Sequence, residues 1–349
     1  MASDVICVDL DFTLVRYRQP AFTELQYLSM ARGMVEMGYS AQLLEREWVD
    51  RALEFTQNGL VADLRRGNVV SLGKGSEVKG CYYGFQRKSE AEVREMYGDP
   101  PLFPITVSPY RVPNLYWIFL THFATAESAL YQACTHSLAL GLTPLKSLAT
   151  LEADLYLCAC QRFFPTCPYS FIPALYQHPE MYLEKEQTLG ELVRTLGKPV
   201  VIVTNSHEEH VNALCSYALG QEWRSLFEMV VLGAGKPGYF GKGSQGTRTE
   251  SGLGVGGSYK DLEARFPGKT FTYIGDHFVN DVFAPNTALN WPSIALIPEL
   301  ETETETSPAY LTHFGPFVQP DNYWVSLVST HAHGQFPSLE AFLRSIVPN

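Results

Sequence analysis

Charge is thin in this chain of 349 residues: Asp, Glu, Lys and Arg make up 18% of it, below the roughly 25% of an average globular domain. What charge there is runs acidic, with 37 carboxylates against 26 basic side chains and a formal net charge of −11. Such a balance disfavours a nucleic-acid polymer or an anionic membrane surface as the main partner, while a small anionic substrate remains open if its pocket carries cations. Long apolar runs are missing as well. No window approaches the ~20 uninterrupted apolar residues of a membrane span, and "MASDVICVDLD" lacks the basic segment and apolar stretch of a secretory signal. Cysteine is sparse and scattered, seven in all, an odd number that argues against a disulfide framework and for a reducing compartment. A cytoplasmic location is expected.

What is present is apolar content, 46% of residues, enough to bury a sizeable core in about two structural units. The stretch "DVICVDLDFTLVRYR" is a short apolar run ending in two carboxylates, Asp9 and Asp11, and a hydroxyl, Thr13. A fully buried parallel strand reads this way, and ligands gather where such strands end. "PVVIVTNS", "FEMVVLGAGKPG", "FTYIGD" and "SIALIPEL" repeat the pattern, with helical spacing in "HEEHVNALCSYALG" and "YKDLEARF" between them. Strands alternating with helices predict an α/β fold around a parallel sheet.

Residues from about 20 to 190 lack that alternation and are rich in aromatics and prolines. They predict an insertion after the first strand, with a helix in "THFATAESALYQACTHSLAL", a hairpin in "GNVVSLGKGSEVKG" and a buried helix at "LYWIFLTHF". The glycine-rich segment 241–258 predicts a surface loop or short hairpin, and "ELETETETS" from residue 299 a solvated turn. Within the former, Gly252, Gly254 and Gly257 fit a dinucleotide-binding spacing, but no strand precedes them and the pattern is set aside. His207 and His210 are three apart and do not form a zincin pair; they read as surface or substrate-proximal groups. His331 and His333 read as surface histidines. Cys158, Cys160 and Cys167 lack paired C-x-x-C spacing and read as core thiols.

With the strands side by side, their carboxyl ends bring Asp9, Asp11, Thr204 and Asp276 to one edge, with Lys236 and Asp281 on adjacent loops. That set suits phosphoryl transfer to an aspartate. Two anions meet only when a divalent cation and a fixed lysine remove their repulsion, and Mg2+ suits an oxygen-only shell.

"DLDFT" resembles the DxDxT signature of the haloacid dehalogenase-like superfamily, and "VIVTNS", "KPG" and "GDHFVND" resemble its later motifs in order. More narrowly, "TNSHEEHVNALCSYALGQEWRSLFEMVV" and "NWPSIALIPELE", with Gly67 and Asn68 in a hairpin-like setting, are similar to the cytosolic 5'-nucleotidase and 5'-nucleotidase domain-containing protein family. The resemblance is firm over about residues 4–18 and 196–300. It implies a Rossmann-like parallel-sheet core formed by residues 1–20 and 186–349, and a mainly helical cap, 21–185, lying over the strand ends.

Carried onto this sequence, the resemblance implies that Asp9 is the nucleophile. Asp11 would be the general acid and then the general base, a role that needs its carboxyl protonated at the right moment, which burial beside other carboxylates would favour. Thr204 and Asn205 would hold the phosphoryl group and Lys236 offset its charge. Mg2+ would be held by Asp9, the backbone carbonyl of Asp11, and Asp276, with Asp281 positioning metal waters or Lys236. The implied function is Mg-dependent phosphomonoester hydrolysis through an aspartyl phosphate, with a nucleoside monophosphate as substrate. The alternatives are a phosphatase for a non-nucleotide metabolite and a catalytically idle interaction module on the same fold; a homo-oligomer is left open. Purine-specific relatives place an arginine and an aspartate from a cap helix near the base, whereas "VPNLYWIFLTHFATA", which takes that place here, contains neither.

Overall fold

The computed structural model describes residues 3–106, 111–186, 188–249, 253–301 and 311–347. They divide into two units. The first comprises the described residues of Met1–Arg18, Pro179–Glu301 and Leu327–Asn349, the second those of Gln19–His178 and Thr302–Ser326.

The first unit is built on eight strands: β1 (Val5–Val8), β2 (Val200–Val203), β3 (Met229–Leu232), β4 (Thr247–Arg248), β5 (Gly254–Val255), β6 (Phe271–Gly275), β7 (Ser293–Leu296) and β8 (Gly334–Phe336). Their order across the sheet is β4-β5-β3-β2-β1-β6-β7-β8. Every pair is parallel except the hairpin β4–β5. β1, β2, β6 and β7 are buried at every position, because a parallel strand covered on both faces needs a continuous apolar run. The expected helices form at Glu208–Leu219 and Tyr259–Arg265. On one face Cys7, Val201, Val203, Tyr239, Phe240 and Tyr273 share a core with Trp291, whose indole stacks on Phe271 at 4.6 Å. The predicted α/β class is therefore what the chain adopts. The glycine-rich segment 241–258 forms its hairpin within the sheet, β5 pairing with β3; Gly252 lies outside the described residues.

The second unit combines helices with a six-stranded antiparallel sheet ordered Gln86–Arg87, Val78–Tyr83, Asn68–Leu72, Leu60–Asp63, Tyr116–Phe119, Arg111–Val112. The hairpin predicted over "GNVVSLGKGSEVKG" is the pairing of Asn68–Leu72 with Val78–Tyr83. "LYWIFLTHF" is corrected: Tyr116–Phe119 is a fully buried strand, and the helix begins only at Thr125 and ends at Ala139. A buried run of four apolar residues satisfies strand and helix alike, so periodicity could not separate them. Residues 311–326 join this unit through Trp324, which is fully buried and donates its indole N–H to the Gly59 carbonyl at 2.6 Å. His313 stacks on Phe55 at 4.3 Å. Of the acidic stretch from residue 299, positions 302–307 lie outside the described residues, and Glu299 itself is buried rather than solvated. Cys158 is buried, but Cys160, expected as a core thiol, is exposed on the helix Leu148–Gln161. Among the described residues no helix is long and apolar enough to cross a membrane.

Candidate active site

The carboxyl ends of β1, β2, β3 and β6 assemble the polar groups of the first unit. Asp9 follows β1 directly, its N–H donating to the Ile274 carbonyl of β6 at 3.0 Å, which fixes the carboxylate at the sheet edge. The chain then turns sharply. The Leu10 carbonyl accepts the N–H groups of Leu14 at 2.9 Å and Val15 at 3.0 Å, and Phe12 sits at φ +55°, a left-handed conformation rare for a bulky side chain. Packing holds it there: Phe12 is buried against the Tyr17 ring, with centroids 4.4 Å apart.

Lys236 lies at the centre of the charged cluster. Its side chain is 1% exposed, and its Nζ sits 2.9 Å from Asp9 Oδ1 and 2.7 Å from Asp281 Oδ1. Nζ also donates to the Tyr273 hydroxyl at 3.0 Å, which in turn donates to the Val203 carbonyl at 2.8 Å. Burial works against the ammonium, but the Asp281 and Asp9 charges outweigh it and hold its pKa above the ordinary lysine value. Asn205 clasps the Lys236 backbone, accepting its N–H at 2.7 Å and donating to its carbonyl at 3.3 Å. The Asn205 amide, expected at the phosphate, is thus committed to placing the lysine.

Asp281 is fully buried in the short π-helix Phe278–Phe283. Its second oxygen accepts the His277 N–H at 3.1 Å, and it packs so tightly on Gly275 that a Cβ there would lie 2.4 Å from its carboxyl carbon. Only glycine ends β6 compatibly with this carboxylate. One carboxylate oxygen from each of Asp9, Asp276 and Asp281 lies within 4.8 Å of the others. Burial first, then the charges of Asp281 and Asp11 against that of Lys236, pushes Asp9 up to about 7. Burial together with Asp281 and Asp9 raises Asp276 well above the carboxylate range. With one lysine among three carboxyl groups, their full ionisation would leave excess negative charge, and an all-oxygen set of this kind matches a divalent cation such as Mg2+, whose charge would offset it. Asp276 keeps a single hydrogen bond among the described residues, from the Thr13 hydroxyl at 3.3 Å, whereas both Asp281 oxygens are engaged.

Asp11 points to a different set of partners. It accepts from the Tyr17 hydroxyl at 2.6 Å, the Ser206 hydroxyl at 2.8 Å and His210 Nε2 at 3.1 Å. Burial pushes its pKa up, but the His210 charge and these three hydrogen bonds prevail and hold it below the ordinary aspartate value. Burial does favour the protonated form, as expected, but it is outweighed here, because the sequence showed the carboxylate neighbours of Asp11 and not its donors. Thr204 is buried at the end of β2, its hydroxyl accepting the Ser206 N–H at 3.0 Å. Tyr17, Ser206 and Tyr273 were not singled out as site residues, although each lies inside one of the strand-end stretches "DVICVDLDFTLVRYR", "PVVIVTNS" and "FTYIGD". Of the two readings of His210, surface or substrate-proximal, the surface one is corrected: it is buried against Asp11.

The profile of the 5' nucleotidase family matches residues 3–313. Among curated proteins, the chain is similar to "5'-nucleotidase domain-containing protein 1" of Bos taurus, 26% identical over 344 residues, covering 88% of this chain and 75% of the relative. The Homo sapiens protein of the same name is 25% identical over 343 residues, covering 87% and 74%. With the profile spanning the whole of the site described above, from Asp9 to Asp281, the chain belongs to the 5' nucleotidase family.

Proposed function

We propose that the chain is a Mg-dependent hydrolase of nucleoside monophosphates that acts through an aspartyl phosphate on Asp9. Family membership supports a nucleotide phosphatase. The observation that carries the finer reading is the lysine between two carboxylates: Lys236 Nζ at 2.9 Å from Asp9 and 2.7 Å from Asp281. It holds the nucleophile's oxygen at the sheet edge and sets a positive charge where a phosphoryl group would arrive. Asp281, committed to Lys236 and His277, positions the lysine. The Thr204 hydroxyl already accepts one hydrogen bond, so its own proton is directed to a phosphoryl oxygen.

Asp9, Asp276 and the Asp11 backbone carbonyl would hold Mg2+. The ion would neutralise phosphoryl and carboxylate charge during attack. Asp11 rests as the carboxylate, the form that takes a proton from water in the second half-reaction. A dianionic phosphate placed beside it opposes that charge and raises its proton affinity, which provides the acid form for the first.

Purified protein is expected to release phosphate from nucleoside monophosphates only with Mg2+, and Asp9→Asn to abolish release while keeping its circular dichroism spectrum. Silence of the folded wild type across a panel of nucleoside and sugar monophosphates would sink the reading. Preference for a sugar phosphate would move it to a non-nucleotide metabolite.

A further inference from the structure

A carboxylate offers about four lone-pair positions to donors, and the neighbours of Asp11 fill them unevenly. Oδ1 accepts from Tyr17 at 2.6 Å and from His210 Nε2 at 3.1 Å, whereas among the described residues Oδ2 accepts only from Ser206 at 2.8 Å. The imidazole faces Oδ1 through Nε2 and donates to it when that nitrogen carries the proton. Packing holds both ring partners of Oδ1: Tyr17 is 5% exposed and His210 7%. They reach Asp11 from the loop after β1 and from the first turn of the helix Glu208–Leu219.

We propose that Tyr17 and His210 are positioning residues for the acid–base step: by filling Oδ1 they leave the open lone pair of Asp11 on Oδ2, the oxygen that exchanges the proton. The inference rests on the reading of Asp9 as nucleophile and Asp11 as acid and base. In the first half-reaction an Asp9 oxygen bonds to phosphorus, the bond from phosphorus to the leaving oxygen breaks, and the proton on Oδ2 passes to that oxygen. In the second, a water oxygen bonds to phosphorus, Oδ2 takes a proton from that water, and the bond to Asp9 breaks. Both carboxyl groups return to their starting state.

His210→Leu removes the donor at similar bulk, His210→Gln returns a donor near the Nε2 position, and Tyr17→Phe deletes one hydroxyl. The measurement is single-turnover release of nucleoside from a nucleoside monophosphate and of nitrophenolate from p-nitrophenyl phosphate, with kcat and KM beside it. His210→Leu and Tyr17→Phe are expected to slow nucleoside release about tenfold or more, a fraction of what general acid catalysis supplies, with KM little changed. Nitrophenolate, which leaves without a proton, should be slowed much less, and His210→Gln should recover most of the lost rate. Equal slowing with both substrates, or none, overturns the proposal. Crystal structures of the wild type and the His210→Leu/Tyr17→Phe double variant give a readout independent of turnover: the Asp11 carboxylate should leave its wild-type orientation, and an unchanged orientation overturns the proposal. A wild type that hydrolyses neither substrate counts against the functional reading instead, and the orientation of Asp11 then judges the positioning role.

Discussion

Lys236 concentrates two roles in one side chain. A buried cation between two carboxylates is costly to remove, because the partners are left as unpaired charges in a site of low polarity. Lys236→Met is therefore expected to destabilise the metal-free protein by about 3–5 kcal/mol in urea unfolding, a loss well beyond that of a surface lysine. An unchanged midpoint would show that the cluster relaxes without it. Gly275 sets a second constraint at this scale. Gly275→Ala drives a methyl into the Asp281 carboxyl, and overpacking of this kind costs about 1–3 kcal/mol; the same variant should lose phosphate release, since Asp281 holds Lys236. The residues legible in the sequence were those at strand ends, such as Asp9, Thr204 and Asp276, where an apolar run stops at a polar group. The contacts of His210 and Tyr17 with Asp11 were not legible, because they come from positions 199 and 6 residues away, and no local spacing links them.

The elements divide in the same way. Buried parallel strands announce themselves by unbroken apolar runs, and β1, β2, β3, β6 and β7 fall within the quoted stretches. Tyr116–Phe119 has the same character, but its aromatic continuation to Phe123 mimicked a helix face, and only the ladder to Leu60–Asp63 resolves it. The two-residue strands β4 and β5 are too short to show any period. At the helix Glu90–Tyr97 a capping box is complete: Ser89 accepts the Glu92 N–H at 3.3 Å, and Glu92 accepts the Ser89 N–H at 2.8 Å. The Ser89 backbone first, then its hydroxyl and Lys88, pulls the Glu92 carboxyl from 4.5 down to about 2. A carboxyl depressed by folding stabilises above its unfolded pKa and loses that contribution as the pH falls through the folded one. Amide exchange in this helix should thus quicken as pH drops from 4.5 toward 2, beyond the intrinsic trend, and Glu92→Gln should flatten the dependence.

At the scale of the whole chain, each unit is assembled from separated segments, three in the first and two in the second. The second is closed by residues more than a hundred positions from the rest of it, with Trp324 as the anchor. Trp324→Ala deletes a fully buried indole and a hydrogen bond to Gly59, and losses of this type cost about 3–5 kcal/mol. Hydrogen exchange should show protection lost in the strands Leu60–Asp63 and Tyr116–Phe119 while β1 and β6 stay protected. Equal loss in both sets would mean that the two units unfold as one. Sequence reading placed 302–326 with the first unit because the chain there follows β7; the tie to Gly59 is a long-range contact that no local pattern encodes. The sheets also end abruptly. Among the described residues the outermost strands are β4, β8, Gln86–Arg87 and Arg111–Val112, two or three residues each, and three of the four carry an arginine. Such blunted margins offer a neighbouring molecule almost no backbone to extend, so two strongly β-forming sheets can remain dispersed at high concentration rather than growing into one another as fibrils.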